Sequence, residues 1–233
     1  MADDPVTLIT GGAAGIGAAT AERLLRRSHR VAVTGRDPER LARFAAGADA
    51  GQRLAVIPAD AAEPAAVERA VRTTVERFGR LDTVIANAGM ATFDAVDDGN
   101  PQGWREMILV NVLGPALLVR AALPSLRRTR GRIILVGSLA GLVATHGNLY
   151  GATKWAVTGL AENVRLMVAG DGIRVTLIAP GRVDTSFWAH AGGTPPGGSL
   201  TAGQVADSIL WVLGQPEGVD LASIVIRPMP AAD

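Results

Sequence analysis

Val6-Thr-Leu-Ile-Thr10-Gly-Gly-Ala-Ala-Gly15-Ile-Gly17 decides how the chain folds: a short apolar, β-branched run leads straight into a glycine-rich turn. Beyond the turn, Ala14, Ala18, Ala21, Leu24 and Leu25 recur at helical spacing, so the glycines join a buried strand to a helix over residues 15–27. A dinucleotide turn needs that context. Glycines at 11, 15 and 17 let backbone approach a pyrophosphate, and the helix N-terminus supplies the positive end of its dipole. The plainer alternative is a turn kept small for packing alone, and the place between strand and helix favours the phosphate.

Outward from this turn, short β-branched runs alternate with longer amphipathic ones. Strands are expected over residues 31–34, 54–57, 81–86, 132–136, 173–178 and 222–226. Helices are expected after Asp37-Pro38 and over residues 63–78, 102–126, 150–168 and 202–213. Near-continuously apolar strands alternating with helices imply an α/β fold: a Rossmann-like, doubly wound parallel sheet of about seven strands, helices on both faces, one domain over residues 1–233. Residues 189–203, rich in Gly and Pro, read as a mobile loop.

Composition narrows the function. In 233 residues, Lys+Arg 23 nearly balance Asp+Glu 22, and this balance argues against binding nucleic acid through phosphate neutralisation. Cys 0 removes disulfides, thiolate metal sites and cysteine nucleophiles, and no metal is expected. The first residues carry no basic-then-apolar leader pattern, and a cytoplasmic protein is expected. Residues 133–153 lack charge over a bilayer-spanning length, but their glycines and polar groups argue against a membrane span. Aromatics are scarce (Phe 4, Trp 4, Tyr 1), so the core must be aliphatic. The single tyrosine is Tyr150.

Tyr150 and Lys154 stand four apart and share one face of a helix. A phenol ordinarily titrates near pH ~10, too high for facile proton transfer at neutrality, and an ammonium held nearby is expected to lower it. Ser138, at the end of a strand, is placed to donate to a carbonyl oxygen as charge builds there. Ligands of open α/β sheets bind at those strand ends. In isolation, Tyr-x-x-x-Lys is commonly a surface pair; the glycine turn and Ser138 upstream argue against that here.

The turn Thr-Gly-x-x-x-Gly-x-Gly, Asn87-Ala-Gly89, Asn111 in the long helix, Ser138, Tyr150-Gly-Ala-Thr-Lys154 and Pro180-Gly181 occur in the order and spacing of the short-chain dehydrogenases/reductases. From Thr10 to about Arg227 the chain resembles that family. The resemblance implies Tyr150 as general acid/base, Lys154 also holding the nicotinamide ribose, Ser138 polarising the carbonyl and Asn111 anchoring a water relay behind Lys154. It also implies cofactor contacts at Gly11, Ala14, Gly15, Ile16, Gly17, Asn87, Ala88, Gly89, Tyr150, Lys154, Pro180 and Gly181, with Asp60-Ala61 against the adenine and Val183 and Thr185 near the carboxamide. Asn111 has a simpler reading too, as a side chain that satisfies backbone.

The second strand ends in Gly35-Arg36-Asp37, where NAD enzymes place an acid and NADP enzymes an arginine. Arg36 makes NADP(H) the preferred cofactor, with NAD(H) possible, and Asp37 is expected to cap the next helix. The substrate wall is expected from Leu139, Val143, His146, Phe187, Trp188 and His190, with residues 189–203 as a lid. The C-terminal Ile224-Val-Ile-Arg-Pro228 is similar to a branch holding 3-hydroxy acid and serine dehydrogenases. Surplus apolar surface near residues 110–119 and on the Tyr150 helix resembles the family's dimer and tetramer contacts. The expected activity is an oxidoreductase interconverting a small or medium carbonyl and alcohol, as a homodimer or homotetramer. A non-catalytic NADP(H)-sensing regulator or scaffold is the alternative. A nucleotide-sugar epimerase or dehydratase ranks last, for lack of a C-terminal substrate domain.

Overall fold

A computed structural model describes residues 4–144, 146–191, 193–195 and 197–229. Val6–Thr10 forms β1, buried at every position, and the glycine turn delivers the chain into α1 (Gly15–Arg26). β2 (Arg30–Gly35) follows, then α2 (Pro38–Ala48), β3 (Leu54–Pro58), α3 (Pro64–Phe78) and β4 (Thr83–Ala86). Asp37 caps α2 as expected: its carboxylate accepts from the backbone N–H groups of Glu39 and Arg40 at 3.0 and 3.1 Å. These bonds, that of Arg40 first, hold the carboxyl below its ordinary range.

The long helical region is one apolar run in three pieces. α4 (Pro101–Ile108) passes through a π-helical turn (Leu109–Leu113) into α5 (Gly114–Thr129). Pro101–Thr129 is long and apolar enough to cross a membrane, yet Leu118, Val119, Ala122 and Leu126 are packed into the core against the sheet. β5 (Arg132–Val136), α6 (Leu149–Val168), β6 (Arg174–Pro180), the short strands β7 (Val183–Asp184) and β8 (Leu200–Thr201), α7 (Ala202–Leu213) and β9 (Ser223–Ile226) complete the chain.

Seven strands lie in the order β3-β2-β1-β4-β5-β6-β9, all parallel. One face buries Leu8, Leu135 and Leu177 against Val71 of α3, Leu118 of α5 and Val157 of α6. The other buries Ile9, Val33 and Ile134 against Leu24 of α1, Leu41 of α2 and Ile209 of α7. Period-two alternation along each strand feeds both faces, which is why the strands read as uninterrupted apolar runs. Chain order reverses between β1 and β4, so a crevice opens at their carboxyl ends.

The loop expected over residues 189–203 is shorter than that span. Residues 186–191 form a 3-10 helix, and residues 200–203 belong to β8 and the first turn of α7. The end is fixed by a capping box, in which Thr201 and Gln204 exchange side-chain-to-backbone bonds of 2.8 and 3.2 Å. Gly192 and Pro196 of that loop lie outside the described residues, as does the His190 side chain of the expected wall.

Candidate active site

At the end of β1 the chain turns through Gly11, whose φ of +63° favours glycine. A Cβ on Gly17 would overlap Gly11 O and come within 2.6 Å of Asn87 Nδ2, so the turn closes only without side chains. α1 then starts after Ala14, which has no side-chain acceptor to cap it, so its first N–H groups receive no side-chain cap. Gly15, also left-handed at φ +49°, faces Thr185, whose Cγ2 would stand 3.3 Å from a Cβ there. Residues that follow β6 thus meet the glycine turn.

Asn87 stitches β4 to β1. Its side-chain amide donates to Thr10 O and Gly11 O at 3.0 and 3.1 Å, while Thr10 Oγ1 accepts from the N–H groups of Asn87 and Ala88. Gly89 comes next, where a Cβ would stand 3.4 Å from Asn111 Oδ1 and 3.6 Å from Lys154 Nζ. Asn111, 1% exposed and inside the π turn, accepts from Met90 N at 2.9 Å and donates to Met90 O and Thr153 Oγ1 at 2.9 and 3.0 Å. Its whole amide is engaged with protein, the simpler of its two readings. Thr153 Oγ1 passes the chain of bonds on to Tyr150 O at 2.7 Å.

Ser138 leaves β5 in extended conformation and caps a one-turn 3-10 helix, Leu139–Gly141. A Cβ on Gly141 would overlap Lys154 O, so this turn packs tightly on α6 and brings Ser138 beside Tyr150. Asn148 caps α6 through a 3.1 Å bond from Gly151 N, which fixes Tyr150 in the first turn. Lys154 lies on the buried stripe of α6 with Val157, Ala161, Val164 and Val168. Only 6% exposed, it donates to Val136 O at 3.1 Å.

Burial governs both titrating groups. The Tyr150 phenol is pushed up to about 12 by desolvation, against the downward pull of a hydrogen bond with Ser138. Lys154 is pushed down to about 8 by desolvation. The phenol is thus raised, not lowered as the spacing to Lys154 predicts. Lys154 Nζ stands 5.6 Å from the ring centroid and is bonded elsewhere, and in so buried a site the low-dielectric penalty on each charge exceeds their attraction.

The remaining cofactor candidates follow the carboxyl ends of other strands. Arg36 is exposed just past β2, and Asp60 accepts from Ala62 N at 2.9 Å in a local turn beside Ala61. Pro180 ends β6; Gly181 N donates to Ile226 O at 2.7 Å, and Val183 is buried in β7. Phe187 and Trp188, expected in the substrate wall, lie on the Tyr150 side: Phe187 stands 5.8 Å from the Tyr150 ring and 5.5 Å from Trp188. Val143 and His146 are exposed on the loop before α6. Sequence reasoning missed Phe93, which stacks on Trp188 at 4.9 Å, because nothing in its neighbourhood carries a periodicity. A separate cavity of about 400 Å³ between α3 and α5, lined by Glu68, Arg72 and Arg120 among others, holds none of these residues.

The model of the short chain dehydrogenase family matches residues 5–194, the stretch that holds the glycine turn, Ser138, Tyr150 and Lys154. The chain belongs to this family. As a short-chain dehydrogenase it is an oxidoreductase, and it is 34% identical over 232 residues to an uncharacterized oxidoreductase of Staphylococcus saprophyticus, covering 97% of this chain and 98% of that one. Among solved structures it is similar to an alcohol dehydrogenase of the archaeon Thermococcus sibiricus complexed with 5-hydroxy-NADP, with a TM-score of 0.89, 29% identity and 97% of each chain covered. It is likewise similar to the closed form of serine dehydrogenase complexed with NADP+, with a TM-score of 0.86 and 29% identity over 95% of this chain and 94% of that one.

Proposed function

We propose that this short-chain dehydrogenase is an NADP(H)-dependent enzyme interconverting a carbonyl and an alcohol on a small or medium substrate, with NAD(H) as the weaker cofactor. The observation that carries the reading is the meeting of Ser138, Tyr150 and Lys154 beside the glycine turn. The crevice suits a dinucleotide. It has backbone that a Cβ would obstruct at Gly11 and Gly17, an uncapped α1 N-terminus, and the cation of Arg36 where β2 ends in a glycine instead of an acid. The relatives named above that carry NADP-type cofactors support the same choice.

When bound, NADPH supplies the hydride. The protein's part is to manage oxygen and proton. Ser138 donates a hydrogen bond to the carbonyl oxygen, and Tyr150 gives its phenolic proton to that oxygen as negative charge develops. A phenol raised to about 12 is fully protonated near neutrality, the form that carbonyl reduction requires. Lys154 would hold the ribose hydroxyls, and its ammonium would stand on the side of the phenolate left behind. Asn111 acts behind Lys154, fixing the Met90 backbone and Thr153. Val183 and Thr185 would hold the carboxamide, and Asp60 and Ala61 the adenine.

A homodimer or homotetramer fits the exposed Ile108, Leu113 and Trp155, apolar side chains on the long helix and α6. A cytoplasmic site of action is proposed on the strength of the short-chain dehydrogenase fold. The test mixes the protein with NADPH and a carbonyl panel and repeats it with Tyr150→Phe. Loss of turnover by about 10²-fold or more is expected. Retained turnover in the mutant refutes the mechanism, and NADPH binding without turnover on any substrate points instead to a cofactor-sensing regulator.

A further inference from the structure

Around the reacting phenol stands a group of rings supplied by two distant segments. Phe187 lies 5.8 Å from Tyr150 and meets Phe93 and Trp188 edge-on, each at 5.5 Å. Phe93 and Trp188 are stacked at 4.9 Å with planes 23° apart. Of the nine aromatic residues in the chain (Phe 4, Trp 4, Tyr 1), these four gather at one place. The Trp188 indole N–H is committed to Val183 O at 2.9 Å, so this residue brings apolar ring to the group and no free donor.

Phe93 holds an unusual backbone. Its φ is +61°, a region that bulky side chains adopt only when their surroundings impose it. The cause is the next residue. The Asp94 carboxylate accepts from Thr92 Oγ1, from Trp104 Nε1 at 3.0 Å and from Asn100 N at 2.9 Å. A Cβ on Gly99 would reach within 2.5 Å of the same carboxylate, so the knot is tight. Val96 N donates to Gly147 O at 2.9 Å, and Ala95 bridges to Asn148, the cap of α6. The loop that carries Phe93 is thereby fastened to the residues that set Tyr150.

We infer that Phe93 is a specificity-determining residue, that Asp94 positions it, and that the wall they complete with Phe187 and Trp188 selects a substrate bearing a flat, apolar substituent, such as an aryl ring, on the reacting carbon. The inference rests on the carbonyl-reducing function proposed above. A ring fits by stacking or edge contact with aromatic partners, whereas a carboxylate there meets apolar ring surface and gives up its water for no charge-assisted bond from it. It therefore separates this chain from the serine and 3-hydroxy acid enzymes to which its C-terminal pattern is similar.

Steady-state kinetics of the full chain with NADPH tests this on matched pairs: 1-phenyl-1,2-propanedione against 2,3-butanedione, and ethyl benzoylformate against benzoylformate. Reduction of the aryl diketone should exceed the methyl one by about 30-fold in kcat/KM, and the ester should exceed the acid by about 10-fold or more, from apolar area and from the unpaired charge. Phe93→Ala should cut the aryl-over-methyl ratio about 10-fold, mainly through KM. Phe93→Leu, which keeps apolar bulk and so guards against misfolding, should cut it less. Asp94→Ala should reproduce the loss of ratio, and Asp94→Asn, which keeps an acceptor oxygen, should restore part of it. Equal or better use of 2,3-butanedione or benzoylformate with NADPH, or of L-serine with NADP+, with turnover still dependent on Tyr150, overturns the inference and leaves the proposed function standing. Absence of turnover on every carbonyl and alcohol tried, despite NADPH binding, overturns that function and the inference with it.

Discussion

Replacing Asn111 with alanine tests the part of the site that is most deeply built into the fold. The mutation deletes three hydrogen bonds, of 2.9, 2.9 and 3.0 Å, at a residue 1% exposed. Met90 loses the partner of both its N–H and its C=O, and each orphaned backbone group costs about 1–3 kcal/mol. Better helix propensity returns only a few tenths of a kcal/mol. The expected loss is therefore about 2–5 kcal/mol. With a urea slope of roughly 2–3 kcal/mol/M, the unfolding midpoint should fall by about 1–2 M at matched protein concentration. Thr153→Val, which removes only the 3.0 Å bond from Asn111 and the 2.7 Å bond to Tyr150 O, should cost less and serves as the control. Turnover should fall in both, because the start of α6 loses its brace. A midpoint shift below about 0.3 M for Asn111→Ala would refute the account of a buried knot, since only a solvated asparagine could be lost so cheaply.

Other consequences are open to direct measurement. Arg36→Ala should raise KM for NADPH about 10- to 100-fold, the worth of a charge-assisted contact to phosphate, while KM for NADH changes little; equal effects on both would remove Arg36 from cofactor choice. Lys154 should lose its proton as pH rises through about 8, in place of 10.5, visible by NMR of the labelled side chain. Because its pKa in the folded state is depressed, its contribution to stability is complete above pH 10.5 and is lost as pH falls to about 8; a titration at its ordinary value would contradict the burial argument. Trp155→Glu, at a position half exposed on α6, should shift the mass by light scattering from an oligomer towards 24.0 kDa; an unchanged oligomer would place the interface elsewhere.

Much of this arrangement was legible from pattern. The helix expected over residues 202–213 is α7 residue for residue, since a capping Thr201 and a terminal Gly214 bracket an apolar period. Lys154 on an otherwise apolar helical stripe is itself a signal, because buried lysines are rare without a task. What stayed hidden depends on geometry that local sequence does not encode. The positive φ of Phe93 follows from bonds that Asp94 makes to residues as far as Trp104. The direction of the Tyr150 shift depends on how little water reaches the phenol, not on the spacing to Lys154. Leu200 and Thr201 looked like loop because they pair with Val183 and Asp184, partners remote in sequence.

The stitch between Thr10 and Asn87 also constrains when the crevice can exist. These residues are 77 apart in sequence, and β1 meets β4 only after β2 and β3 have already been made on its other side. Closing so long a loop is slow relative to pairing neighbouring strands. During synthesis, a nascent chain that has just emerged through α3 holds the glycine turn without its floor. Phosphate-binding competence is thus a late event in folding, and cofactor capture during refolding should lag behind helix formation and report on completed assembly of the sheet.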